Sequence, residues 1–323
     1  MEMLLQTIDL KKYFSTSRGP LKAVDGINIE LSVGNTLGVV GESGCGKSTL
    51  GRVILRLIEP TSGQVMFNGT DVLTMTGSTM SQFRRDAGII FQDPFASLNP
   101  RLTASELIEE PLIVNGTYKG RQERRKAVYK MMETVGLASR LINSYPHELD
   151  GGRRQRIGIA RTLVLNPRFV VCDEPVSALD VSIQAQILNL LMDLQDELQL
   201  SYMFITHDLS VVKHISNEIM VMYLGVCVEK AQKEELFKNP LHPYTKALLA
   251  AIPRPKLANR GKHKEIIKGE VSSPVNLKPG CRFANRCPHV AEKCGVDENV
   301  RFLDYGGGHY VACAKIEEDR DSK

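Results

Sequence analysis

Hydrophobic and polar residues alternate through much of the first forty positions. Leu5-Gln6-Thr7-Ile8-Asp9-Leu10 opens the pattern, Ala23 to Leu31 repeats it, and Thr36 to Val40 closes it. A period of two predicts strands. Val65-Met66-Phe67 reads as another short strand with the turn pair Asn68-Gly69 behind it. Residues 78–85 are short and mixed and predict no element of their own. Gly88-Ile89-Ile90-Phe91 and Phe169-Val170-Val171-Cys172 are unbroken apolar runs, the pattern of buried, parallel strands. From about 102 to 145 the period turns helical, and Arg121 to Val135 gathers Ala127, Val128, Met131, Met132 and Val135 on one side. Gln184 to Leu200 is strongly amphipathic, through Ile187, Leu188, Leu190, Leu191, Leu194 and Leu198. Tyr202 to Ile205 predicts a strand, Val211 to Ile215 a short helix, and Glu218 to Glu229 two strands bent at Gly225. Strands alternating with helices make an α/β domain with a mainly parallel sheet.

The pattern changes near 253. Arg254 to Lys268 holds six Lys or Arg residues against one acidic residue, with Pro253 and Pro255 at its head. The stretch 253–269 reads as a basic linker, either a solvated tether or an arm for anionic headgroups. Residues 270–316 are rich in Gly, Pro and Cys and predict a small ligand-stapled module; 317–323 reads as a disordered tail. A length of 323 residues suits two domains, or one large domain with an appendage. No apolar run approaches the roughly 20 residues that cross a bilayer, and Met1 to Leu10 lacks the order of a signal peptide. The chain is therefore expected in the cytoplasm, meeting a membrane only through partners. A net charge of +4 is too mild to demand nucleic acid.

Gly41-Glu42-Ser43-Gly44-Cys45-Gly46-Lys47-Ser48 follows the apolar run Leu37 to Val40 and precedes a helical pattern from Thr49. Strand, glycine loop and helix in that order make a phosphate-binding P-loop. Backbone N–H groups turn inward on phosphate oxygens, and the helix adds the positive end of its dipole. Lys47 is expected on the β- and γ-phosphates and the Ser48 hydroxyl on Mg²⁺. At the end of Phe169 to Cys172 stand Asp173, suited to Mg²⁺, and Glu174, suited to a general base for the attacking water. Leu149-Asp150-Gly151-Gly152-Arg153-Arg154-Gln155-Arg156 opens another helix with bare N–H groups.

With these residues the chain resembles the ATP-binding subunits of ABC transporters. Asp150, Gly151, Gly152 and Arg153 stand at the signature, Gln92 at the Q-loop, Ser177-Ala178-Leu179-Asp180 at the D-loop and His207 at the switch histidine. Tyr13 matches the aromatic that stacks on adenine, with Phe14 as its rival. The resemblance covers about residues 3–250. It implies a P-loop NTPase of ABC type: a RecA-like core, an antiparallel β subdomain and a helical subdomain at about 95–165, together filling 1–252. ATP would be held by Tyr13, Ser43, Gly44, Cys45, Gly46, Lys47, Ser48 and Thr49, and Mg²⁺ by Ser48, Gln92 and Asp173. Glu174, His207 and Gln92 would be catalytic. Two such domains would close head to tail around two ATPs.

One position departs from the signature. Asp150 replaces its serine, and an ionised carboxylate cannot donate a hydrogen bond to the γ-phosphate. Asp150 either weakens one of two unequal sites or caps the helix, with Arg153 balancing its charge.

Asn239-Pro240-Leu241-His242-Pro243-Tyr244 and the segment around Cys281 and Cys287 resemble oligopeptide and dipeptide importers. Such an importer pairs two different ATPase subunits with two membrane permeases, at the cytoplasmic face of the membrane. An extracytoplasmic peptide-binding protein supplies it. Nickel or another small solute is the alternative cargo, and a soluble ATPase acting on nucleic acid or ribosomes is the remote one. Tandem cores or coiled-coil insertions, which mark the last class, are absent from the sequence.

Cys281, Cys287, Cys294 and Cys313 are separated by five, six and eighteen residues. In a reducing compartment such clustering implies a bound metal centre. Structural zinc favours cysteine pairs two to four residues apart, whereas wide spacing suits a [4Fe–4S] cluster, and the subfamily resemblance points the same way. Zn²⁺, with His289 or His309 as further ligands, and free thiols are the rivals. The centre is expected to be structural, and its loss to leave the P-loop able to bind ATP.

Overall fold

The computed structural model describes residues 2–252, 273–296 and 300–316. The linker expected at 253–269 and the tail at 317–323 lie outside the described residues. In chain order the first elements are β1 (Met3–Thr16), β2 (Gly19–Ser32), β3 (Thr36–Val40), α1 (Lys47–Ile54), β4 (Ser62–Phe67) and β5 (Thr70–Asp71). Then come α2 (Gly77–Asp86), β6 (Ala87–Ile90), α3 (Pro94–Ser97), α4 (Ala104–Val114), α5 (Arg121–Thr134) and α6 (Gly151–Leu163). These lead to β7 (Phe169–Asp173), α7 (Val181–Leu198), β8 (Ser201–Thr206), α8 (Leu209–Ile215), β9 (Glu218–Tyr223) and β10 (Val226–Gln232). The chain closes with α9 (Lys233–Lys238), α10 (Pro243–Ala251), β11 (Phe302–Asp304) and β12 (Tyr310–Ala312).

The chain folds as two compact units. The first takes residues 1–6, 30–36 and 66–205. Its β6, β7 and β8 run parallel, with Ala87 opposite Phe169 and Phe169 opposite Ser201. Every residue of β7 and β8 is buried, as their continuous apolar runs require. Phe67 meets Phe83 edge-on at 5.2 Å and leans on Phe169 at 6.5 Å. Thr103 and Glu106 close a capping box at the start of α4, which packs with α5 and α6. The sequence pattern predicts no element at 78–85, yet α2 forms there. Phe83 is its single buried residue, so it shows no apolar stripe.

The second unit takes residues 7–29, 37–65 and 206–323. Here β3 runs parallel to β9, from Leu37 opposite Glu218 to Val40 opposite Val221. A tight turn through Leu224 (φ 43°) and Gly225 (φ 85°) joins β9 to antiparallel β10, which is the bend predicted at Gly225. The cysteine-bearing end adds to this sheet. Val311 and Tyr310 of β12 pair with Glu229 and Lys230 of β10, and β11 pairs with β12 in turn. At three residues each, neither strand is long enough to display alternation. Among the described residues no helix is long and apolar enough to cross a membrane.

Candidate active site

In the second unit β3 feeds the glycine loop and the loop feeds α1, as the motif requires. Gly46 caps α1 with φ 105°, and a Cβ there would lie 1.9 Å from the Ala23 carbonyl oxygen. At Gly41 a Cβ would meet the Met222 carbonyl at 2.2 Å. Both positions admit only glycine, because backbone presses on backbone. Gly44 (φ 78°) faces open space, so its missing side chain leaves room for a ligand.

Lys47 is 4% exposed, and its Nζ donates to the carbonyls of Gly41 (2.8 Å) and Glu42 (3.0 Å). The ammonium is folded over its own loop, where a phosphate would be drawn in. Ser43 and Gly44 form the exposed crest, Cys45 is buried beneath it, and Ser48 and Thr49 are half-buried. Burial pushes the Cys45 thiol up in pKa, so it sits under the loop as a neutral packing group.

Tyr13 lies on β1. Its N–H donates to Thr61 Oγ1 (2.9 Å) and its hydroxyl donates to Asp25. Burial and then that bond raise its pKa well above the usual phenol value. Burial opposes ionisation of Asp25, but the Tyr13 hydroxyl, Arg282 and Lys22 together hold its carboxyl below the usual range. Phe14, the rival, is 36% exposed with Lys12 Nζ 4.9 Å from its ring centre. His207 follows β8 and is exposed; next to it, Asp208 caps α8 through the N–H of Ser210 at 2.8 Å.

The first unit holds the remaining residues. Asp173 ends β7 at 2% exposure. Glu174 adopts left-handed φ 48°, with its N–H donating to Ile205 O at 2.9 Å. That turn carries its carboxylate to the Gln92 amide, whose Nε2 donates to Glu174 Oε2 at 3.2 Å. Two sequence-predicted catalytic residues, 82 positions apart, are thus in contact. Asp180 caps α7 by accepting from Ile183 N at 3.0 Å, and that bond lowers its pKa. Asp150 caps α6: its Oδ1 accepts from Arg153 N (2.8 Å), and its Oδ2 lies 3.3 Å from Arg153 Nε. Both parts of the capping alternative are therefore present. A Cβ on Gly152 would stand 2.7 Å from Ile183 Cγ2, so packing disfavours a side chain there; one on Gly151 would meet only the tip of Leu179, at 3.2 Å.

The family profile "ABC transporter" matches residues 24–177, and "Oligopeptide/dipeptide transporter, C-terminal region" matches 228–294. The dipeptide transport ATP-binding protein DppF of Haemophilus influenzae is 51% identical over 321 residues, 97% of each chain. This chain belongs to the ABC transporter family. The oligopeptide transport ATP-binding protein OppF of Salmonella typhimurium is 49% identical over 326 residues, 98% of this chain and 97% of the other. A dimeric ATP-binding cassette in a post-hydrolysis state bound to ADP and Pi superposes with a TM-score of 0.65 at 30% identity. It covers 71% of this chain and 99% of its own. An ABC transporter chain with this likeness is an ATPase by family and fold.

Several contacts around the P-loop are not legible in the motifs. Arg286 forks onto Glu42 of the loop, with Nη1 to Oε2 at 2.7 Å and Nη2 to Oε1 at 3.0 Å. Arg282 donates to Asp25 and to Leu224 O. The Tyr244 hydroxyl accepts from Glu42 N at 2.9 Å. For Arg282 and Arg286 the sequence offers only their place in the loop between Cys281 and Cys287.

The Cys281 N–H donates to Cys294 O at 2.7 Å, and Cys313 follows β12 directly. Burial first, and then the nearby thiols of Cys313, Cys294 and Cys287, push the Cys281 thiol up to about 11. Cys287, Cys294 and Cys313 therefore lie within electrostatic reach of Cys281. Among the described residues, no group of three or more His, Cys, Asp or Glu side chains is set to hold a single metal ion.

Proposed function

We propose that this chain is the ATP-hydrolysing subunit that powers uptake of di- or oligopeptides at the cytoplasmic face of the cell membrane. It works as one of a pair of nucleotide-binding domains on membrane permeases that receive peptide from an extracytoplasmic binding protein. Likeness to peptide transport ATP-binding proteins over nearly the whole chain, C-terminal region included, supports the cargo class. The contact between Gln92 and Glu174 is the observation that carries the hydrolytic reading.

In this reading the backbone of 43–49 and the Lys47 ammonium bind the phosphates of ATP, and Tyr13 supports adenine. The oxygen donors of Ser48, Gln92 and Asp173 suit a hard cation. Held by these residues, Mg²⁺ would neutralise charge on the phosphate oxygens. Glu174 orients and polarises the attacking water as general base. The Gln92 amide holds that carboxylate in place and ties its position to the helical segment that follows. His207 stabilises the γ-phosphate, and Asp150 with Gly151 and Gly152 presents the α6 N-terminus to a partner's nucleotide.

In the same reading the four cysteines would hold a [4Fe–4S] cluster. The reach of Cys281 to the other three thiols, and of Cys287 to Cys294 and Cys313, supports a shared centre. Single cysteines widely spaced along the chain suit the four corners of a cluster, whereas structural zinc favours pairs two to four residues apart. Iron, sulfide and zinc analysis after anaerobic purification tests this part; stoichiometric zinc without sulfide overturns it.

Reconstitution with the permeases tests the hydrolytic reading. Glu174→Gln is expected to bind ATP, accumulate the ATP-bound dimer and scarcely hydrolyse. Turnover near wild type removes Glu174 from its role. Peptide-loaded binding protein is expected to stimulate wild-type ATPase activity, whereas stimulation by a nickel-loaded one alone redirects the cargo.

A further inference from the structure

Glu42 occupies a position that the P-loop pattern leaves unspecified, yet three groups hold it. Its N–H donates to the Tyr244 hydroxyl at 2.9 Å, and its carbonyl accepts from Lys47 Nζ at 3.0 Å. Its carboxylate takes both arms of the Arg286 guanidinium. A bidentate guanidinium–carboxylate pair fixes direction as well as distance. Arg286 is itself held: its side chain is 7% exposed, and its guanidinium carbon lies 6.0 Å from the Tyr223 ring centre. Glu42 therefore cannot shift without moving a carbonyl that accepts from the lysine ammonium.

The segment that carries Arg286 is anchored at a second point. Arg282 bonds Leu224 O and Asp25, and Asp25 accepts the Tyr13 hydroxyl. The neighbouring Gly225 donates its N–H to Cys45 O, inside the P-loop, at 2.8 Å. Between the two arginines Phe283 is 1% exposed, packed against Tyr223 and Tyr244 with ring centres 5.3 Å away in each case. Five residues between Cys281 and Cys287 thus grip the P-loop at Glu42 and, through the 224–225 turn, near Cys45.

We propose that Arg286 is a positioning residue for the nucleotide site. The Cys281–Cys287 loop is then an arm that holds the P-loop, and whatever orders the four cysteines also sets nucleotide affinity. The sequence pattern leads one to expect a cysteine end independent of ATP binding; these bonds join the two. The proposal rests on the P-loop being the nucleotide site, which wild-type affinity for ADP, measured first, tests alone.

The test is a double-mutant cycle on the full chain, read as ADP affinity by calorimetry and as KM and kcat for ATP in the reconstituted transporter. Arg286→Gln is expected to weaken ADP about ten-fold, the scale of a lost charge-assisted pair. Glu42→Gln is expected to do the same, and the double variant to be no weaker than either single. Arg286→Lys recovers part of the loss. KM for ATP rises with the dissociation constant, while kcat stays within about two-fold of wild type. A purely structural role would lower the melting temperature and leave affinity per folded molecule unchanged. Affinity within about two-fold of wild type in folded Arg286→Gln overturns the proposal, as do single effects that multiply in the double variant. Glu42→Gln keeps the test open if Arg286→Gln fails to fold.

Discussion

Asp150→Ser restores the hydroxyl that the family signature carries, and the structure allows its cost to be worked out. Asp150 accepts the Arg153 N–H at 2.8 Å as the cap of α6, and serine caps a helix about as well. What is lost is the ion pair with Arg153 and a negative charge at a helix N-terminus. The two side chains are 59% and 46% exposed, which limits the pair to about 0.5 kcal/mol. The charge–dipole contribution is about 0.3–1 kcal/mol. Stability should therefore fall by about 1 kcal/mol, or a few degrees in Tm. Asp150→Ala also loses the cap and should cost about 1 kcal/mol more.

Activity should move the other way. The hydroxyl can donate to a phosphate oxygen, whereas two like unit charges 4 Å apart repel by about 4 kcal/mol at an effective dielectric of 20. Solvent at this exposed position screens most of that. ATPase activity of the reconstituted transporter is accordingly expected to be kept or raised in Asp150→Ser, with Asp150→Ala separating cap from charge. A ten-fold loss in Asp150→Ser, with Tm within a few degrees of wild type, would show that the carboxylate itself takes part in turnover.

Lys47→Ala removes the ammonium that sits over the Gly41 and Glu42 carbonyls, so calorimetry should show nucleotide affinity reduced at least about ten-fold; unchanged affinity counts against its phosphate role. Gly46→Ala sets a Cβ 1.9 Å from Ala23 O at φ 105° and should abolish binding with a loss of more than about 2 kcal/mol. Gly44→Ala, at φ 78° in open space, should cost only about 1 kcal/mol of backbone strain; equal losses at the two sites would refute the clash. Burial pushes the His242 imidazole down from 6.5 to about 4. The unfolded chain then takes up a proton that the folded chain refuses, so stability falls as pH drops from about 6.5 towards 4. Between pH 7 and 5 this histidine costs about 2 kcal/mol. His242→Asn keeps an acceptor for Tyr244 N, and denaturant unfolding at the two pH values should show that slope flattened.

Structure is legible in the sequence wherever local order carries the information. The P-loop, the acids at the end of β7 and the cap at Asp150 are each set by a strand end or a helix start. The contact of Gln92 with Glu174 follows because each sits at the carboxyl end of one of two paired strands. Elements with no stripe are lost: α2 buries Phe83 alone, and β11 and β12 are three residues long. Arg286 and Glu42 lie 244 positions apart on two loops, and a charge on a loop has no period to betray its partner. Only the fold brings them together.

The pairing of β12 with β10 bears on how the chain can be divided. Cut after Ile252, it would keep every nucleotide motif and lose the strand that covers β10. A row of backbone N–H and C=O groups would then be laid open along β10, ready to recruit the same row from another copy. Glu229, fully buried, would lose the His309 ring that meets it at 2.8 Å and keep the N–H groups of Leu241 and His242. Tyr223 and Tyr244 would be stripped of Phe283. A fragment bounded by its motifs should therefore self-associate, with turbidity rising with protein concentration, while the full chain stays clear.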